Sequence, residues 1–418
     1  MQETILMRKL VIYLYSAIPQ ELGHQQQTFS KSRQVKRWLR RLHIRLNWKF
    51  RHKLVGHYTD LTSENFANRG DIALSIAARE HLSACLAPTP LEFREIVWGQ
   101  LSPTDIKELN ERADAFIIGG GGFFFFSPAG RFAADRITDC NLIPTITCPV
   151  FCFGTGANML QSDDVKVDVV LNQNESAALK RLGEAIRFGT VRDRLAAQLL
   201  GAGGADLVQT VDPAFLLNST EVSTQIERVD GKLNVGINLA VHGNFAYSLQ
   251  KTTIAEYFPF LKALSNRDDI RLHYFVHEHG EITLASLLKG SGIKFEMVDL
   301  PAEKMLGAYA AMDMHICQMM HSAIFSTSAA IPTLCLSYDI KHIMLFEALG
   351  LEEWCLPASG VTTAHLVERF DALSKQCPDI QARLKNRKLE LAQEYDAALK
   401  KMALAILHQD NTVADIRP

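Results

Sequence analysis

The sequence predicts an α/β protein of two lobes, each built on a parallel β-sheet, with a cleft between them and a basic helical arm before the first lobe. The chain has 418 residues, which is more than one hydrophobic core usually serves. Its 47% hydrophobic and 22% charged residues are ordinary values for a globular chain with a sizeable core. Short apolar runs alternate with helical patterns, which is typical of parallel sheets covered by helices.

A basic segment precedes the first lobe. Residues 31–53 carry ten Lys/Arg and no acidic residue, although the formal charge of the whole chain is −2. The apolar residues of this segment follow the spacing of one helical face: Val35, Trp38, Leu39, Leu42 and Leu46. Such a helix fits an anionic membrane surface, and it fits the protein's own acidic body equally well. No nucleic-acid module is recognisable, so we expect no nucleic-acid partner.

The start of the chain and the cysteines bear on the cellular compartment. The stretch "MRKLVIYLYSAIP" has a basic flank and a short apolar run but no convincing small-residue cleavage site, so we expect it to be retained as a strand or a surface anchor. No run of about 18 uncharged apolar residues predicts a membrane span. Eight cysteines without a CxxC pair favour reduced thiols. We therefore expect a cytoplasmic protein, held at the inner membrane face where the basic segment binds lipid.

Strand and helix candidates follow one another along the chain. The strand candidates end in Gly, Asp, His or Tyr: "AFIIGG", "PVFCFGTG", "DLVQTVDPAF", "LNVGINLA", "DIRLHYFVHE" and "PTLCLSY". Helix candidates such as "DIALSIAAREHLSACL" and "ESAALKRLGEAI" lie between them. Polar "NSTEVSTQIERVDGK" interrupts the alternation and predicts the lobe boundary. The predicted units are a basic arm at 1–54, lobes at 55–225 and 226–380, and a terminal helix at 381–418.

The stretch "ADAFIIGGGGFFFF" places four glycines directly after a predicted strand. A bare backbone lets N–H groups approach an anion or a sugar closely. A GxGxxG motif beginning at Gly119 or Gly120 would need glycine where Phe124 or Phe125 stands, and no GK[ST] follows, so a dinucleotide or ATP site is disfavoured. Because ligands bind at the carboxyl ends of parallel strands, we expect these glycines to floor the cleft.

Other motifs of the first lobe stand at the same edge of the predicted sheet. "ANRGDIALSIAA" places Asn68, Gly70 and Asp71 before a helix, where Asp71 can cap the first turn. "CFGTGAN" supplies a second glycine turn. "TVRDRLAAQLL" places Arg192 and Arg194 at a strand-to-helix junction, where a guanidinium can grip a carboxylate or phosphate or form a surface ion pair.

In the second lobe, polar residues concentrate after two predicted strands. His321 and Ser322 precede a helix of small residues, and Tyr338 and Lys341 follow the next strand. A histidine at a helix N-terminus has its pKa lowered by the helix dipole and can exchange protons near neutral pH. In "HYFVHEHGE", three histidines fall on one face of an extended strand, but a metal is not expected because a cluster facing a substrate explains the pattern equally well.

Taken in order, these pieces resemble the polysaccharide pyruvyltransferase family. The matching pieces are "NRGD", "FIIGGGGFF", "FGTGAN", "VRD", "VDPAF", "VGINLA" and "HSAIFSTSAAIPTLCLSYDIKH". The resemblance implies two Rossmann-like lobes, arranged as in GT-B glycosyltransferases. It also implies transfer of a pyruvyl group from phosphoenolpyruvate to two hydroxyls of a sugar, which forms a ketal and releases phosphate without a cofactor.

The resemblance also implies roles for particular residues. Arg192 matches the family's motif arginine and His321 its motif histidine, so these two are the expected catalytic residues. The remaining strand-end residues are the expected substrate-binding set: Asn68, Gly70, Asp71, Gly120, Gly121, Gly154, Gly156, Arg194, Ser322, Tyr338 and Lys341. The expected partners are phosphoenolpyruvate and a glycan acceptor from a surface polysaccharide or its lipid-linked precursor.

One position departs from the family pattern. The family usually has arginine two residues before the histidine, whereas this chain has Met319. A charge-assisted hydrogen bond of that kind contributes about 1.5 to 3 kcal/mol. Two alternatives therefore stay open: a glycosyltransferase of the same architecture that uses a nucleotide sugar, and a catalytically silent glycan-binding homologue.

Overall fold

A computed structural model describes residues 8–17, 68–127, 130–159, 169–218, 226–240, 252–278 and 280–407. The predicted basic helix at 31–53 lies outside the described residues, as does His279 of the predicted histidine cluster. Within the described part of the chain, two parallel β-sheets organise the fold.

The first sheet has seven strands in the order β2-β1-β3-β5-β6-β7, and β4 also pairs with β5. All of these pairings are parallel. The strands are β1 Leu10–Ser16, β2 Leu91–Val97, β3 Ala115–Ile118, β4 Gly121–Phe126, β5 Val150–Met159, β6 Ile186–Val191 and β7 Leu207–Gln209. The helices are α1 Arg69–Leu86, α2 Pro103–Arg112, α3 Ala134–Leu142, α4 Gln173–Ala185 and α5 Arg194–Gly201.

The second sheet has six parallel strands in the order β10-β9-β8-β11-β12-β13. The strands are β8 Leu233–Asn238, β9 Ile270–Phe275, β10 Glu296–Val298, β11 Met314–Cys317, β12 Thr333–Ser337 and β13 Cys355–Pro357. The helices are α6 Phe258–Ser265, α7 Glu281–Gly290, α8 Ala302–Tyr309, α9 Met320–Ser328, α10 Ile340–Leu349 and α11 Thr363–Leu407. The predicted pair of Rossmann-like lobes is confirmed.

The element bounds differ from the predicted units at both ends of the chain. The first lobe begins with β1 at Leu10, within the region that the sequence assigned to a basic arm. Alternate side chains of β1 enter two separate cores, Ile12 and Leu14 on one face and Tyr13 and Tyr15 on the other, because successive strand residues point to opposite faces. The apolar run at Leu10–Ser16 is therefore an interior strand of the sheet. The terminal helix begins at Thr363, earlier than residue 381.

The glycine stretch connects β3 to β4, and both strands pair with β5. Ile118 pairs with Cys152 and Gly121 with Thr155, so β3 and β4 follow the same neighbour on either side of the turn. A Cβ at Gly120 would lie 2.9 Å from Leu74 of α1. The four phenylalanines then anchor the strand: Phe123, Phe124 and Phe126 are fully buried, and Phe125 is 39% exposed. The bare backbone is needed because α1 lies directly on it.

Helix α11 connects the second lobe back to the first. Near its start, Phe370 packs against Phe260 of α6 with ring centroids 6.3 Å apart. Further along, Tyr395 packs against Phe153 of β5 and His81 of α1, at 5.8 and 5.3 Å. Residues of both lobes and of α11 consequently share one continuous hydrophobic core.

Two further findings concern the surroundings of the protein. Of the helices that the structure describes, none combines the length and the apolar composition of a membrane span. The eight cysteines all fall within the described ranges and are free thiols.

We expect Tyr395→Ala to lower the free energy of unfolding by about 3 to 5 kcal/mol, because it removes a buried ring that joins α11 to the first lobe. Urea unfolding of the two proteins measures the difference. Leu389→Ala on the same helix is the matched control, since Leu389 is 65% exposed and its loss should change stability by less than about 0.5 kcal/mol. Equal effects of the two substitutions would contradict the inferred packing.

Candidate functional site

The first turn of α1 joins the two lobes. Arg69 is 1% exposed, and its guanidinium donates to the Asp299 carboxylate and to the Leu300 carbonyl oxygen of the second lobe. Its backbone N–H donates to the His277 carbonyl oxygen at 2.9 Å. A buried arginine is stable only when it is paired, so these contacts dock α1 firmly on the second lobe.

The missing side chain of Gly70 leaves room for the His321 ring. His321 lies in the first turn of α9, and a Cβ on Gly70 would overlap its imidazole ring. Asn68 precedes α1 as its N-cap, and its side-chain oxygen accepts from Gly70 N at 2.9 Å and from Asp71 N at 3.4 Å. The motif "NRGD" therefore holds a helix end against the histidine of the other lobe.

His321 is a buried, neutral imidazole. His321 is 7% exposed, and its Nε2 atom is buried and has no hydrogen-bond partner among the described residues. Burial holds the pKa of His321 well below its ordinary value, and the nearby charges of Arg192 and Lys341 lower it further. Burial therefore favours the neutral form of the ring, which can accept a proton.

Arg192 reaches the site from the first lobe, directly after β6. Its Nη1 donates to Asp212 at 2.6 Å and its Nη2 to Asn158 at 3.4 Å. The side chain is 4% exposed. A Cβ on Gly156 would overlap this guanidinium, so the second glycine turn is bare because the arginine lies over it.

Lys341 reaches the same site from the second lobe. It lies in the first turn of α10, which Asp339 caps by accepting from Lys341 N at 3.1 Å. Asp339 also accepts from Met159 N, at the end of β5 in the first lobe, at 3.2 Å. The Lys341 ammonium lies 3.9 Å from the Asp339 carboxylate, and burial lowers the pKa of Lys341.

Arg192 and Lys341 line one pocket between the lobes, next to the first turn of α9, which carries His321. Arg192 and Asp212 contribute from the first lobe, and Met320 and Lys341 from the first turns of α9 and α10. Helix N-termini favour anions because their first N–H groups are free and their dipoles are positive there. The pocket thus combines two cations and two helix ends, a set that suits a ligand with two anionic groups.

Several predicted site residues lie elsewhere. Arg194 is on the surface, 55% exposed, in an ion pair with Glu347 at 3.0 Å. Gly120 and Gly121 are buried beneath Leu74 and Trp98 rather than open to the pocket, which corrects the expectation that they floor the cleft. Gly154 has a φ of +63° and lies against Pro213.

Ser322 belongs to a buried hydrogen-bond network under α9. Its hydroxyl bonds with Tyr309 at 2.8 Å and with His315 Nε2 at 2.7 Å, and Tyr309 in turn bonds with His277 Nε2 at 2.6 Å. Because Ser322 is fully buried, its role here is to support the helix that carries His321. This placement differs from the substrate contact that the sequence predicted.

The side chain of Tyr338 lies on an apolar cluster with Met319, Ala240 and Ala358. Its hydroxyl is 3.7 Å from the Met319 sulfur. The position where the family usually has arginine is thus filled by a packed methionine.

The histidines that the sequence predicted on one strand face have different hydrogen-bond partners. His273 Nε2 bonds with Asn234 at 3.1 Å, while His277 belongs to the network under α9. Burial lowers the pKa of both rings. Within the described ranges, no group of three or more His, Cys, Asp or Glu is placed to hold a metal ion.

The predicted set of site residues leaves out the residues that order the charged groups. Asn158 and Asp212 hold Arg192, Asp339 holds the start of α10, and Arg69 docks the lobes. The signal was partly present, since Asn158 ends "FGTGAN" and Asp212 begins "DPAF" at predicted strand ends. Nothing in the sequence alone indicates that the Arg69 side chain is buried.

Comparisons with known proteins complete the description of the site. A model of the family described as polysaccharide pyruvyl transferase matches residues 27–340, and no curated protein matches the sequence. Among solved structures, a Staphylococcus aureus MnaA–UDP complex is 12% identical with a TM-score of 0.49, and covers 76% of this chain and 89% of its own. The rhamnosyltransferase SpnG with thymidine diphosphate is 10% identical with a TM-score of 0.44, over 78% and 94%.

We expect Gly70→Ala to lower the free energy of unfolding by about 1 to 3 kcal/mol, because the added methyl forces α1 or His321 to move. Urea unfolding measures the loss. Gly201→Ala is the control, since nothing lies within 4 Å of a Cβ at that helix end, and it should be neutral or slightly stabilising. A neutral Gly70→Ala would show that the two lobes are not in close contact at His321.

We expect the His321 ring to stay neutral as the pH falls through the range in which an exposed histidine takes up a proton, because burial holds the pKa of His321 well below its ordinary value. The sign follows from burial: the unfolded chain takes up a proton there below about pH 6.5, whereas the folded chain does not, so this residue reduces stability as the pH falls. Nitrogen-15 NMR reports the state of the ring, and His321→Asn identifies its signal. A His321 that titrates near pH 6.5 would contradict the described burial.

Proposed function

The chain belongs to the polysaccharide pyruvyl transferase family, and from this premise we propose that it transfers a pyruvyl group from phosphoenolpyruvate to two hydroxyls of a sugar. Family membership implies a transferase. The proposed products are a cyclic ketal and phosphate, and the reaction needs no resident cofactor. The proposed acceptor is a surface polysaccharide or its lipid-linked precursor.

The observation that carries the proposal is that Arg192 and Lys341, from opposite lobes, line one pocket, and that both lie near enough to His321 to lower its pKa. Phosphoenolpyruvate has a carboxylate and a phosphate at adjacent positions, so it needs cationic donors for both. Arginine suits a planar, bidentate contact and lysine a point-charge contact. The two helix N-termini add N–H groups and a favourable dipole.

His321 supplies the proton acceptor for an attacking hydroxyl. The hydroxyl must lose its proton as its oxygen bonds to the ketal carbon, and a neutral imidazole within reach accelerates that loss. We assign this contact to Nε2, which has no hydrogen-bond partner among the described residues. Burial keeps the ring unprotonated and therefore ready to act as a base.

Met319 is compatible with this chemistry. Its side chain is packed with Tyr338 and is 7% exposed, so the absent arginine leaves no unfilled charged position. The anion-binding capacity that remains is that of Arg192, Lys341 and the helix ends. We infer that, of the described residues, these groups bind the ligand.

The place of the reaction follows from the acceptor. A lipid-linked precursor lies at a membrane, and the basic segment at 31–53 would bring the enzyme to an anionic bilayer. We therefore propose a cytoplasmic enzyme that associates peripherally with the inner membrane face.

We expect the purified protein to release phosphate from phosphoenolpyruvate only when a suitable glycan acceptor is present. Arg192→Ala should weaken phosphoenolpyruvate binding roughly tenfold to a hundredfold, by loss of a charge-assisted contact. His321→Ala should lower turnover by about 10² to 10⁴-fold, by loss of the base. A phosphate assay over a panel of acceptors, with calorimetry for binding, measures both effects.

Arg187→Ala is the matched control, because Arg187 lies on the same strand β6 but is exposed and should leave activity unchanged. Turnover with a nucleotide sugar instead of phosphoenolpyruvate would replace the proposal with a glycosyltransferase. Sugar binding without turnover of either donor would indicate a silent homologue.

A further inference from the structure

Asp71 differs from the other aspartates around the pocket. Asp193 accepts from Ala157 N and Ala196 N, and Asp212 from Arg192 and Ala214 N. Asp339 accepts from Met159 N and Lys341 N. The Asp71 carboxylate, in contrast, has no hydrogen bond or ion pair among the described residues. Of these four aspartates, Asp71 is the one whose carboxylate no described residue engages.

Asp71 shares its charged neighbours with the His321 imidazole, since Arg192 and Lys341 act on both groups. It follows Gly70, whose missing side chain makes room for His321, in the turn that Arg69 docks on the second lobe. The charged groups that face it are Lys341 and Arg192, which favour its ionised form, and Glu278 and Asp212, which oppose it. Burial outweighs the two cations and raises the pKa of Asp71 to about 6.

The proposed reaction needs a second proton-transfer group. Two acceptor hydroxyls lose their protons, while the methylene carbon of phosphoenolpyruvate gains one and the departing phosphate gains the other. A single neutral histidine accounts for one of these transfers. The proton that forms the methyl group must come from an acid that still holds a proton near neutral pH.

Resting on the proposed function, we propose that Asp71 donates the proton to the methylene carbon and later accepts the proton of the second sugar hydroxyl. Asp71 is then a catalytic residue from the first lobe, opposite His321 of the second. The active site is complete only when the first turn of α1 is docked.

The cycle balances without a further reactant. The Asp71 proton adds to the methylene carbon, using the C=C electron pair, and the first hydroxyl oxygen bonds to the resulting cationic carbon as His321 takes its proton. The C–O bond to phosphate breaks with its electron pair, and phosphate takes the proton from His321. The second hydroxyl bonds to the same carbon and gives its proton to Asp71, which restores both residues.

The test compares the full chain with Asp71→Asn, which keeps the shape of the side chain but cannot supply the acid. We expect phosphoenolpyruvate to bind at least as tightly, because a like charge is removed, while acceptor-dependent phosphate release falls by about 10² to 10⁴-fold. The wild-type kcat/KM should decline as the pH rises above about 6, since the donor must be protonated, and the residual activity of Asp71→Asn should lack that decline. Calorimetry and the phosphate assay give both readouts.

Two further variants make the result decisive. Glu80→Gln removes an exposed carboxylate from the same helix and should leave turnover unchanged. Asp71→Glu retains an acid and should keep more activity than Asp71→Asn. Circular dichroism confirms that each variant is folded.

The outcomes separate this inference from the function on which it rests. Wild-type turnover with Asp71→Asn within about threefold of it would overturn the role of Asp71 alone. An unchanged decline at high pH in Asp71→Asn would do the same. A wild-type protein that releases no phosphate with any acceptor would overturn the proposed function, and the role of Asp71 with it.

Discussion

The buried contact between Arg69 and Asp299 is the constraint on which the site depends. Removing one partner of a buried ion pair typically costs about 3 to 5 kcal/mol, because the other charge is left uncompensated. The turn that carries Arg69 also carries Gly70, which lies against His321, and Asp71, which has no partner among the described residues. Docking of the lobes therefore also brings together the residues that we propose to react.

The electrostatics of the pocket follow from this assembly. Arg192 is held by Asp212, and Lys341 lies near Asp339, so each cation stands beside a carboxylate before any ligand arrives. An anion that enters adds negative charge without bringing a counterion. Negative charge raises the pKa of neighbouring groups, so ligand binding and proton uptake by Asp71 and His321 are coupled.

Much of the fold was predictable from sequence, because alternating apolar runs and helical patterns report burial directly. The site was only partly predictable. Arg192 and Arg194 look equivalent in "VRDR", yet Arg192, two residues before the start of α5, points inward, and Arg194, the first residue of α5, points to solvent. Gly120 and Gly121 look like a ligand loop, and only the position of Leu74 over them explains their conformation. Such distinctions depend on how helices and strands pack against one another. The residues around a motif in the sequence do not determine that packing.

Helix α11 has a consequence for how the protein is made. A chain emerges from the ribosome N-terminus first, but the rings of His81 and Phe153 in the first lobe receive their partner Tyr395 only when nearly all of the described chain is out. The second lobe gains its own contact with α11, through Phe370 and Phe260, earlier. The first lobe is thus synthesised first, but its apolar surface around His81 and Phe153 is covered by α11 only near the end of translation.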